Sequence, residues 1–244
     1  MWIFKDALTG LADTVFPRIC VVCGAVLNGN RENRFCSKCL SSINFVKPPI
    51  CSCCGFPFID YGGSDHFCGE CVSLPQYFSI ARSVVRYEAS LRDAIHRFKY
   101  KGKIAVGETL GKLMAEYEYD SLSIEDYSLI VPVPLHPRRL RERGFNQSVV
   151  LAREIAEEHS ISLDFTILKR IIYTEPQVSL DRKKRGSNVK GAFKITDGER
   201  VKGERVILTD DVYTTGSTVR ECARVLIRSG AAEVAVLTLA RAVF

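Results

Sequence analysis

Residues 206–218 read V-I-L-T-D-D-V-Y-T-T-G-S-T, and this stretch decides both the fold and the position of a site. A short apolar strand is followed by two carboxylates, a turn of hydroxyl side chains around one glycine, and the start of a helix. The N–H groups in the first turn of a helix favour a phosphate, and glycine lets the backbone approach it. Asp210 and Asp211 suit a sugar diol or a magnesium ion. The stretch therefore predicts a ribose 5-phosphate site whose phosphate contacts are Thr214, Thr215, Gly216, Ser217 and Thr218.

A simpler interpretation of the same stretch is a capped helix with surface acids in the preceding turn. The order of the parts argues against it, because strand, paired acids, hydroxyl-rich loop and helix form one coherent constellation. The G-x-x-x-x-G-K spacing of a nucleoside triphosphate loop does not occur in this stretch. We expect both acids to face solvent, so that removing their charges should leave the fold intact.

Helical and strand patterns alternate beyond residue 80. Apolar periodicity predicts helices over residues 90–100, 106–117, 146–159 and 217–228, and strands over residues 128–133, 206–209 and 233–239. This alternation predicts an α/β domain with a parallel sheet and helices on both faces. Active sites in such sheets lie beyond the carboxyl ends of the strands, here in the loops after Val133 and Thr209.

The 244 residues are 46% hydrophobic and 25% charged, which excludes a disordered or fibrous chain. Charges interrupt the first twenty residues, so neither a signal peptide nor membrane insertion is expected. Nine of the ten cysteines lie between Cys20 and Cys71. We expect a cytoplasmic protein with reduced thiols, in which clustered cysteines indicate metal binding. The predicted division is a small cysteine module with an N-terminal helix, residues 1–80, and the α/β domain, residues 81–244.

The cysteine module is an internal near-repeat. C-V-V-C-G at residue 20 precedes F-C-S-K-C by ten residues, and C-S-C-C-G at residue 51 precedes F-C-G-E-C by eleven. Two thiolates separated by two residues can bind one tetrahedral zinc ion, and a second such pair closes the site. A closed site of four thiolates leaves no position for water, so the predicted zinc is structural. The predicted ligands are Cys20, Cys23, Cys36 and Cys39 in one repeat, and Cys51, Cys54, Cys68 and Cys71 in the other.

Two alternatives stay open for these cysteines. The pairs of the two repeats can interleave in a cross-braced arrangement, and iron–sulfur clusters also use four thiolates. Because each repeat is complete, we favour one zinc ion per repeat, two in all. Cys53 breaks the two-residue spacing and is interpreted as spare, whereas Cys222 fits the apolar face of a helix.

These motifs together closely resemble the type I phosphoribosyltransferases and, among them, the ComF family, which is named for competence in DNA uptake. The resemblance covers nearly the whole chain. It includes F-K-Y-K-G at residues 98–102, V-P-V-P-L-H at 131–136, R-G-F-N-Q at 143–147 and the D-D-V-Y-T-T-G-S-T loop. It implies a type I phosphoribosyltransferase fold that binds phosphoribosyl pyrophosphate together with magnesium.

The resemblance also implies residue roles. Asp210 and Asp211 would be catalytic and meet the ribose hydroxyls, and residues 214–218 would hold the 5-phosphate. The turn at residues 135–139 should resemble the pyrophosphate loop, and the basic segment near residue 183 the flexible loop. The residues implied for the pyrophosphate end are His136, Arg138 and Arg139 in the turn and Arg182, Lys183 and Arg185 in the flexible loop.

Three functions compete at this point. The first is a magnesium-dependent phosphoribosyltransferase in which electrostatic stabilisation of departing pyrophosphate carries most of the catalysis. The second is a non-catalytic adaptor that senses phosphoribosyl pyrophosphate, binds single-stranded DNA and meets a competence helicase or another uptake protein. The third, a structural zinc adaptor, leaves the phosphate loop unexplained. Purine phosphoribosyltransferases commonly carry an aspartate base where Thr214 stands, so a 6-oxopurine acceptor is not expected.

The basic charge is concentrated in one segment. Residues 134–194 carry thirteen Lys or Arg against seven Asp or Glu. Such a surplus either neutralises pyrophosphate or follows a nucleic-acid backbone, with Phe145, Tyr173 and Phe193 as stacking faces. An ordinary solvated surface accounts for part of it. Single-stranded DNA is therefore an expected partner, and it should compete with the donor for this face.

Overall fold

The central sheet consists of five parallel strands in the order β1-β7-β6-β2-β3. They are β1 (Ile80–Arg86), β2 (Leu129–Pro132), β3 (Ser162–Leu163), β6 (Arg205–Tyr213) and β7 (Glu233–Arg241). A separate antiparallel hairpin joins β4 (Leu168–Arg170) to β5 (Phe193–Ile195). The predicted parallel α/β sheet is confirmed, and the hairpin lies outside it.

This computed structural model describes residues 19–27, 34–58, 63–173 and 189–243. The helices are α1 (Ser37–Ser41), α2 (Gly69–Ser73), α3 (Ala89–Lys101), α4 (Ile104–Ala115), α5 (Pro137–Arg143), α6 (Gln147–His159) and α7 (Ser217–Arg228). The expected N-terminal helix and the expected flexible-loop residues Arg182, Lys183 and Arg185 lie outside the described residues. Each helix in the described part is too short or too polar to cross a lipid bilayer.

Two apolar clusters cover the two faces of the sheet. The helices α3, α4 and α6 pack on one face, while α7 and the β4–β5 hairpin pack on the other. Successive residues of a strand point to opposite faces. Accordingly Ile207 lies in the first cluster and Leu208 in the second, both fully buried. The carboxyl ends of β6 and β2, which are neighbours in the sheet, therefore lie side by side beyond this double-layered core.

Candidate functional site

The eight predicted cysteine ligands form two separate groups. The Sγ atoms within each group lie within 4.8 Å of one another. The Cys23–Cys36 and Cys54–Cys68 sulfur distances are both 3.7 Å, close to the spacing of about 3.8 Å that tetrahedral zinc–thiolate bonds of about 2.3 Å imply. The sets fall within the repeats, as predicted, and are not cross-braced. They are the first tetrad, Cys20, Cys23, Cys36 and Cys39, and the second tetrad, Cys51, Cys54, Cys68 and Cys71.

Backbone N–H groups point at the sulfur atoms in both tetrads. Cys51 Sγ accepts hydrogen bonds from the N–H groups of Cys54 at 3.4 Å and Cys68 at 3.3 Å. Cys36 Sγ accepts one from the N–H of Cys39 at 3.4 Å. The side-chain hydrogen bond with Cys54, helped by these N–H groups and opposed by burial, lowers the pKa of Cys51 to about 4. The same hydrogen bond raises the pKa of Cys54, so this thiol pair shares a proton. Zinc binds thiolates and releases such protons, and the four clustered sulfur atoms of each tetrad fit a structural zinc ion.

The two tetrads pack against different faces of the sheet. Cys20 and Cys39 belong to the apolar cluster that contains α3, α4 and α6. Cys51 and Cys54 belong to the cluster that contains α7. Cys53 is buried beside the second tetrad, and Cys222 is fully buried in α7, as its apolar neighbours predicted. The second tetrad is therefore on the side of the sheet where the helix after β6 lies.

The loop between β6 and α7 has the geometry of an anion site. Gly216 caps α7 with φ +71°, and a Cβ at this position would lie 2.3 Å from the Tyr213 hydroxyl. The Thr215 and Ser217 hydroxyls are hydrogen-bonded at 2.9 Å. No side chain in the described part of the chain caps α7. The N–H groups of its first turn therefore have no side-chain partner there, and a phosphate site over residues 214–218 stays a prediction.

Asp210 and Asp211 lie at the carboxyl end of β6 but do not both face solvent. Asp211 is only 4% exposed, and Asp210 is half-buried. Asp210 Oδ1 accepts hydrogen bonds at 2.9 Å from the Ser148 hydroxyl and from the N–H of Asp211. Burial, reinforced by the charge of Asp211, raises the pKa of Asp210 to about 7. The expectation that both acids face solvent is wrong, because Lys99 of α3 and Ser148 of α6 contact them at the strand tip.

Lys99, near the end of α3, forms an ion pair with Asp211. Its side chain is 19% exposed. Burial by itself would lower the pKa of Lys99, but Asp211 and then Asp210 more than offset it and raise that pKa. The ammonium therefore stays charged. Sequence reasoning quoted the F-K-Y-K-G motif without a role for this lysine, because nothing local indicates that it reaches an acid more than a hundred residues further along.

The segment after β2 is helical where a loop was expected. His136 caps α5, and its Nδ1 accepts a hydrogen bond from the N–H of Arg138 at 3.2 Å. The Arg138 guanidinium pairs with Glu142 at 3.1 Å and lies 4.6 Å from the centre of the Tyr173 ring. Pro137 at the first helical position and Gly144 just past the end are start and stop signals that could have identified this helix.

A small basic cavity lies between the end of α3 and α5. It has a volume of about 200 Å³ and is lined by Lys99, Tyr100, Gly102, Arg139, Glu142 and Arg143. Glu142, the one acid among the described lining residues, is paired with Arg138. Arg143 donates a hydrogen bond to Gln147 at 2.5 Å and lies 5.2 Å from the centre of the Tyr100 ring. The structure thus brings Arg139 and Arg143 of the basic segment together with Lys99, a cation that sequence reasoning did not place there.

Known proteins match both parts of the chain. The double zinc ribbon domain family matches residues 11–72, and the phosphoribosyl transferase domain family matches residues 146–242. Competence protein F of Haemophilus influenzae is 31% identical over 227 residues, which are 87% of this chain and 99% of that protein. DNA utilization protein YhgH of Salmonella typhi is 32% identical over 228 residues, which are 92% of this chain and 97% of that protein. The tetrads and the ribbon family together support structural zinc.

More distant relatives extend the same pattern. Competence protein ComFC of Bacillus subtilis is 26% identical over 219 residues, 86% of this chain and 85% of its own. Among solved structures, the allosteric regulatory enzyme of purine biosynthesis gives an alignment that covers 54% of this chain and 25% of the enzyme's chain. That alignment has 22% identity and a TM-score of 0.37, so it carries no argument about function. The parallel sheet and the domain family define a phosphoribosyltransferase-like fold beside a zinc ribbon.

Proposed function

The chain belongs to the competence protein F family, and from this premise we propose that it binds phosphoribosyl pyrophosphate and serves in the uptake or use of DNA. One observation carries the donor assignment. Asp210 lies near the end of β6, and the glycine turn and the start of α7, which no side-chain hydrogen bond caps, follow it in the chain. A carboxylate beside an anion site is the arrangement that a phosphorylated sugar requires.

The proposed orientation of phosphoribosyl pyrophosphate follows from which site groups already have hydrogen-bond partners within the protein. The 5-phosphate lies against the first-turn N–H groups of α7 and the hydroxyls of residues 214–218. Both described hydrogen bonds of Asp210 end on Oδ1, which leaves Oδ2 for a ribose hydroxyl. The pyrophosphate points toward α5, where Arg139 borders the basic cavity. We assign the same end of the donor to His136, Arg138 and, outside the described residues, Arg182, Lys183 and Arg185.

Magnesium fits the same site through one carboxylate. Asp211 already forms an ion pair with Lys99. Asp210 is therefore the acid, of the two at the end of β6, that can hold a hydrated cation beside the diphosphate. When bound, the ion supplies positive charge to the leaving pyrophosphate. The chain's own residues orient the ribose at Asp210, hold the 5-phosphate at α7 and stabilise negative charge at the arginines of α5. Asp211 acts in this proposal by holding Lys99 at the edge of the basic cavity.

A second candidate is a non-catalytic adaptor that senses phosphoribosyl pyrophosphate and binds single-stranded DNA. The observation that favours it is the exposed Thr214, which stands where purine phosphoribosyltransferases commonly carry an aspartate. A threonine hydroxyl does not take up a proton at neutral pH, so this position supplies no general base. In this candidate the donor binds without transfer.

Calorimetric titration with phosphoribosyl pyrophosphate and magnesium tests the donor assignment. We expect the wild type to bind and Asp210→Asn to bind at least about tenfold more weakly, since a charge-assisted hydrogen bond to ribose is lost. The amide can still accept the hydrogen bonds from Ser148 and Asp211, so the fold should persist. Asp197→Asn, an exposed acid away from the site, is the matched control and should bind normally. A wild type that does not bind the donor refutes the proposal.

Turnover separates the two candidates. The protein is incubated with radiolabelled phosphoribosyl pyrophosphate, with and without single-stranded DNA and with candidate bases. Released pyrophosphate together with a new riboside supports a transferase. Saturable binding without release supports the sensing adaptor.

A further inference from the structure

Two arginines connect the second tetrad to the loop that precedes α7. Arg220 lies in the first turns of α7, and Arg241 ends β7. Both are largely removed from solvent, with 17% of the Arg220 side chain and 3% of Arg241 exposed. Buried guanidinium groups need partners for their donors, and most of these partners lie in the cysteine module.

Arg220 joins the cysteine module to the backbone of the loop. Its Nη2 donates hydrogen bonds to Glu70 at 2.8 Å and to the Thr215 carbonyl at 3.3 Å, and its Nε donates to Gln76 at 3.1 Å. Glu70 lies in α2 between the ligands Cys68 and Cys71. A zinc ion held by these cysteines therefore fixes the acid that holds Arg220, and Arg220 in turn holds Thr215.

Arg241 makes a second connection that reaches the glycine of the loop. Its Nη1 donates to the Cys54 carbonyl at 2.8 Å, and its Nη2 lies 3.3 Å from the Cys54 sulfur. The guanidinium lies 3.8 Å from the centre of the Tyr213 ring. That ring is buried and occupies the space where a Cβ on Gly216 would lie. The second tetrad is thus connected to Gly216 of the loop through Arg241 and the Tyr213 ring.

Among the described residues, the first tetrad has no comparable connection. It packs against the opposite apolar cluster, where Arg97 donates a hydrogen bond to the Val21 carbonyl at 3.2 Å. No described hydrogen bond or ion pair joins it to residues 213–218. The two tetrads have the same ligand chemistry but different neighbours, so the first tetrad is an internal control for the second.

We propose that zinc in the second tetrad positions the phosphate loop through Arg220 and Arg241, so that this zinc and the 5-phosphate of the donor bind cooperatively. The inference rests on the proposed function, since it needs a phosphorylated sugar in the loop. Arg220 and Arg241 are positioning residues, because their described partners are protein groups. Coupling between two sites is reciprocal, so the sugar phosphate must strengthen zinc binding by the same factor as zinc strengthens sugar phosphate binding.

An equilibrium competition between the full-length zinc protein and a chromophoric chelator tests this coupling. Ribose 5-phosphate is the probe, because it reaches the loop but lacks the pyrophosphate. We expect it to strengthen retention of one zinc ion per chain by about tenfold, within the usual range of coupling between sites. Cys23→Ser, which removes a ligand of the first tetrad, should keep this effect. Equal protection of both ions, or of neither, overturns the inference.

Arg220→Lys provides a second measurement that does not depend on a cysteine variant. Lysine keeps the charge but cannot contact Glu70, Gln76 and Thr215 at once. We expect ribose 5-phosphate to bind about tenfold more weakly, with pyrophosphate affinity unchanged. The response of zinc retention to the sugar phosphate should become smaller, since only the Arg241 connection remains. Arg224→Lys is the matched control, since Arg224 lies one turn further along α7 and pairs with Glu221.

The outcomes separate this inference from the proposed function. A wild type that binds neither phosphoribosyl pyrophosphate nor ribose 5-phosphate overturns the proposed function and the inference with it. A wild type that binds both, with an Arg220→Lys variant that binds ribose 5-phosphate equally well and keeps its zinc response, overturns the inference alone.

Discussion

The Lys99 ammonium forms an ion pair with Asp211, whereas Asp210, the preceding residue of β6, is hydrogen-bonded to the neutral Ser148 hydroxyl. Two adjacent acids in one motif therefore have different electrostatic surroundings. Asp211 has its cation within the protein. Asp210 has only neutral hydrogen-bond donors among the described residues and carries a raised pKa. We therefore expect Asp211 to matter mainly for stability and Asp210 mainly for the proposed binding of the donor.

We expect Asp211→Asn to destabilise the protein by about 3 kcal/mol, because it removes the carboxylate that forms the ion pair with the largely buried Lys99 ammonium. Asp210→Asn should cost little at neutral pH, since its amide oxygen can accept the same two hydrogen bonds. Denaturant unfolding at pH 7.5 measures both free energies. The double variant Lys99→Met with Asp211→Asn should recover most of the loss. Equal costs for the two single asparagine variants would contradict the asymmetry.

The pH dependence of stability should report the raised pKa of Asp210. Folding raises this pKa from the usual 3.8 to about 7, so the folded state binds the proton more tightly than the unfolded state. The stability contributed by protonated Asp210 is complete below pH 4 and is lost as the pH rises through about 7. Relative to the wild type, Asp210→Asn should therefore gain stability over this window. Melting curves between pH 4 and 8.5 measure the stability difference between the variant and the wild type. A difference that does not change with pH would contradict the prediction.

Metal analysis should find two zinc ions per chain, one for each tetrad. Each set of four sulfur atoms closes around one position, and small cysteine segments draw much of their folding free energy from the metal. Elemental analysis of protein purified without added metal measures the content. One ion per chain would contradict occupancy of both tetrads, and iron with visible absorbance would contradict zinc.

Gly216→Ala should be more destabilising than Gly203→Ala. Both glycines have positive φ, +71° and +76°, which costs an alanine about 1–2 kcal/mol. At Gly203 nothing lies within 4 Å of an added Cβ, whereas at Gly216 the buried Tyr213 ring occupies that space. Unfolding free energies measure both variants. Equal losses would mean that the Tyr213 ring moves aside.

Single-stranded DNA binding is expected to depend steeply on salt. If the arginines of α5 neutralise backbone phosphates, the log–log slope should have a magnitude of roughly 0.7 per phosphate contacted. Fluorescence anisotropy of a labelled oligonucleotide measures the slope, and repeating it with saturating phosphoribosyl pyrophosphate tests competition. A flat dependence would place the DNA away from this basic surface. A steep slope without competition would place the DNA on another part of it.

Some features escaped sequence reasoning because their partners are distant in the chain. The strand β1 was not predicted, since Arg82 and Ser83 interrupt its apolar pattern. Both are buried: Arg82 donates a hydrogen bond to the Asp120 carbonyl at 2.8 Å, and Ser83 is hydrogen-bonded to the Thr238 hydroxyl at 2.6 Å. From sequence alone a polar residue is predicted to be exposed, because the distant partner that allows its burial is not visible in the local pattern.

The sequence by itself determined the features that depend on short spacing. Cysteines two residues apart can share a metal, and a strand, an acid pair, a glycine turn and a helix start occur within the thirteen residues 206–218. Only the tertiary structure decided that Lys99 neutralises Asp211 and that Arg220 and Arg241 join the second tetrad to the phosphate loop. The physical reason is that local geometry follows from neighbouring residues, whereas burial and charge pairing depend on which distant segments the packed sheet brings together.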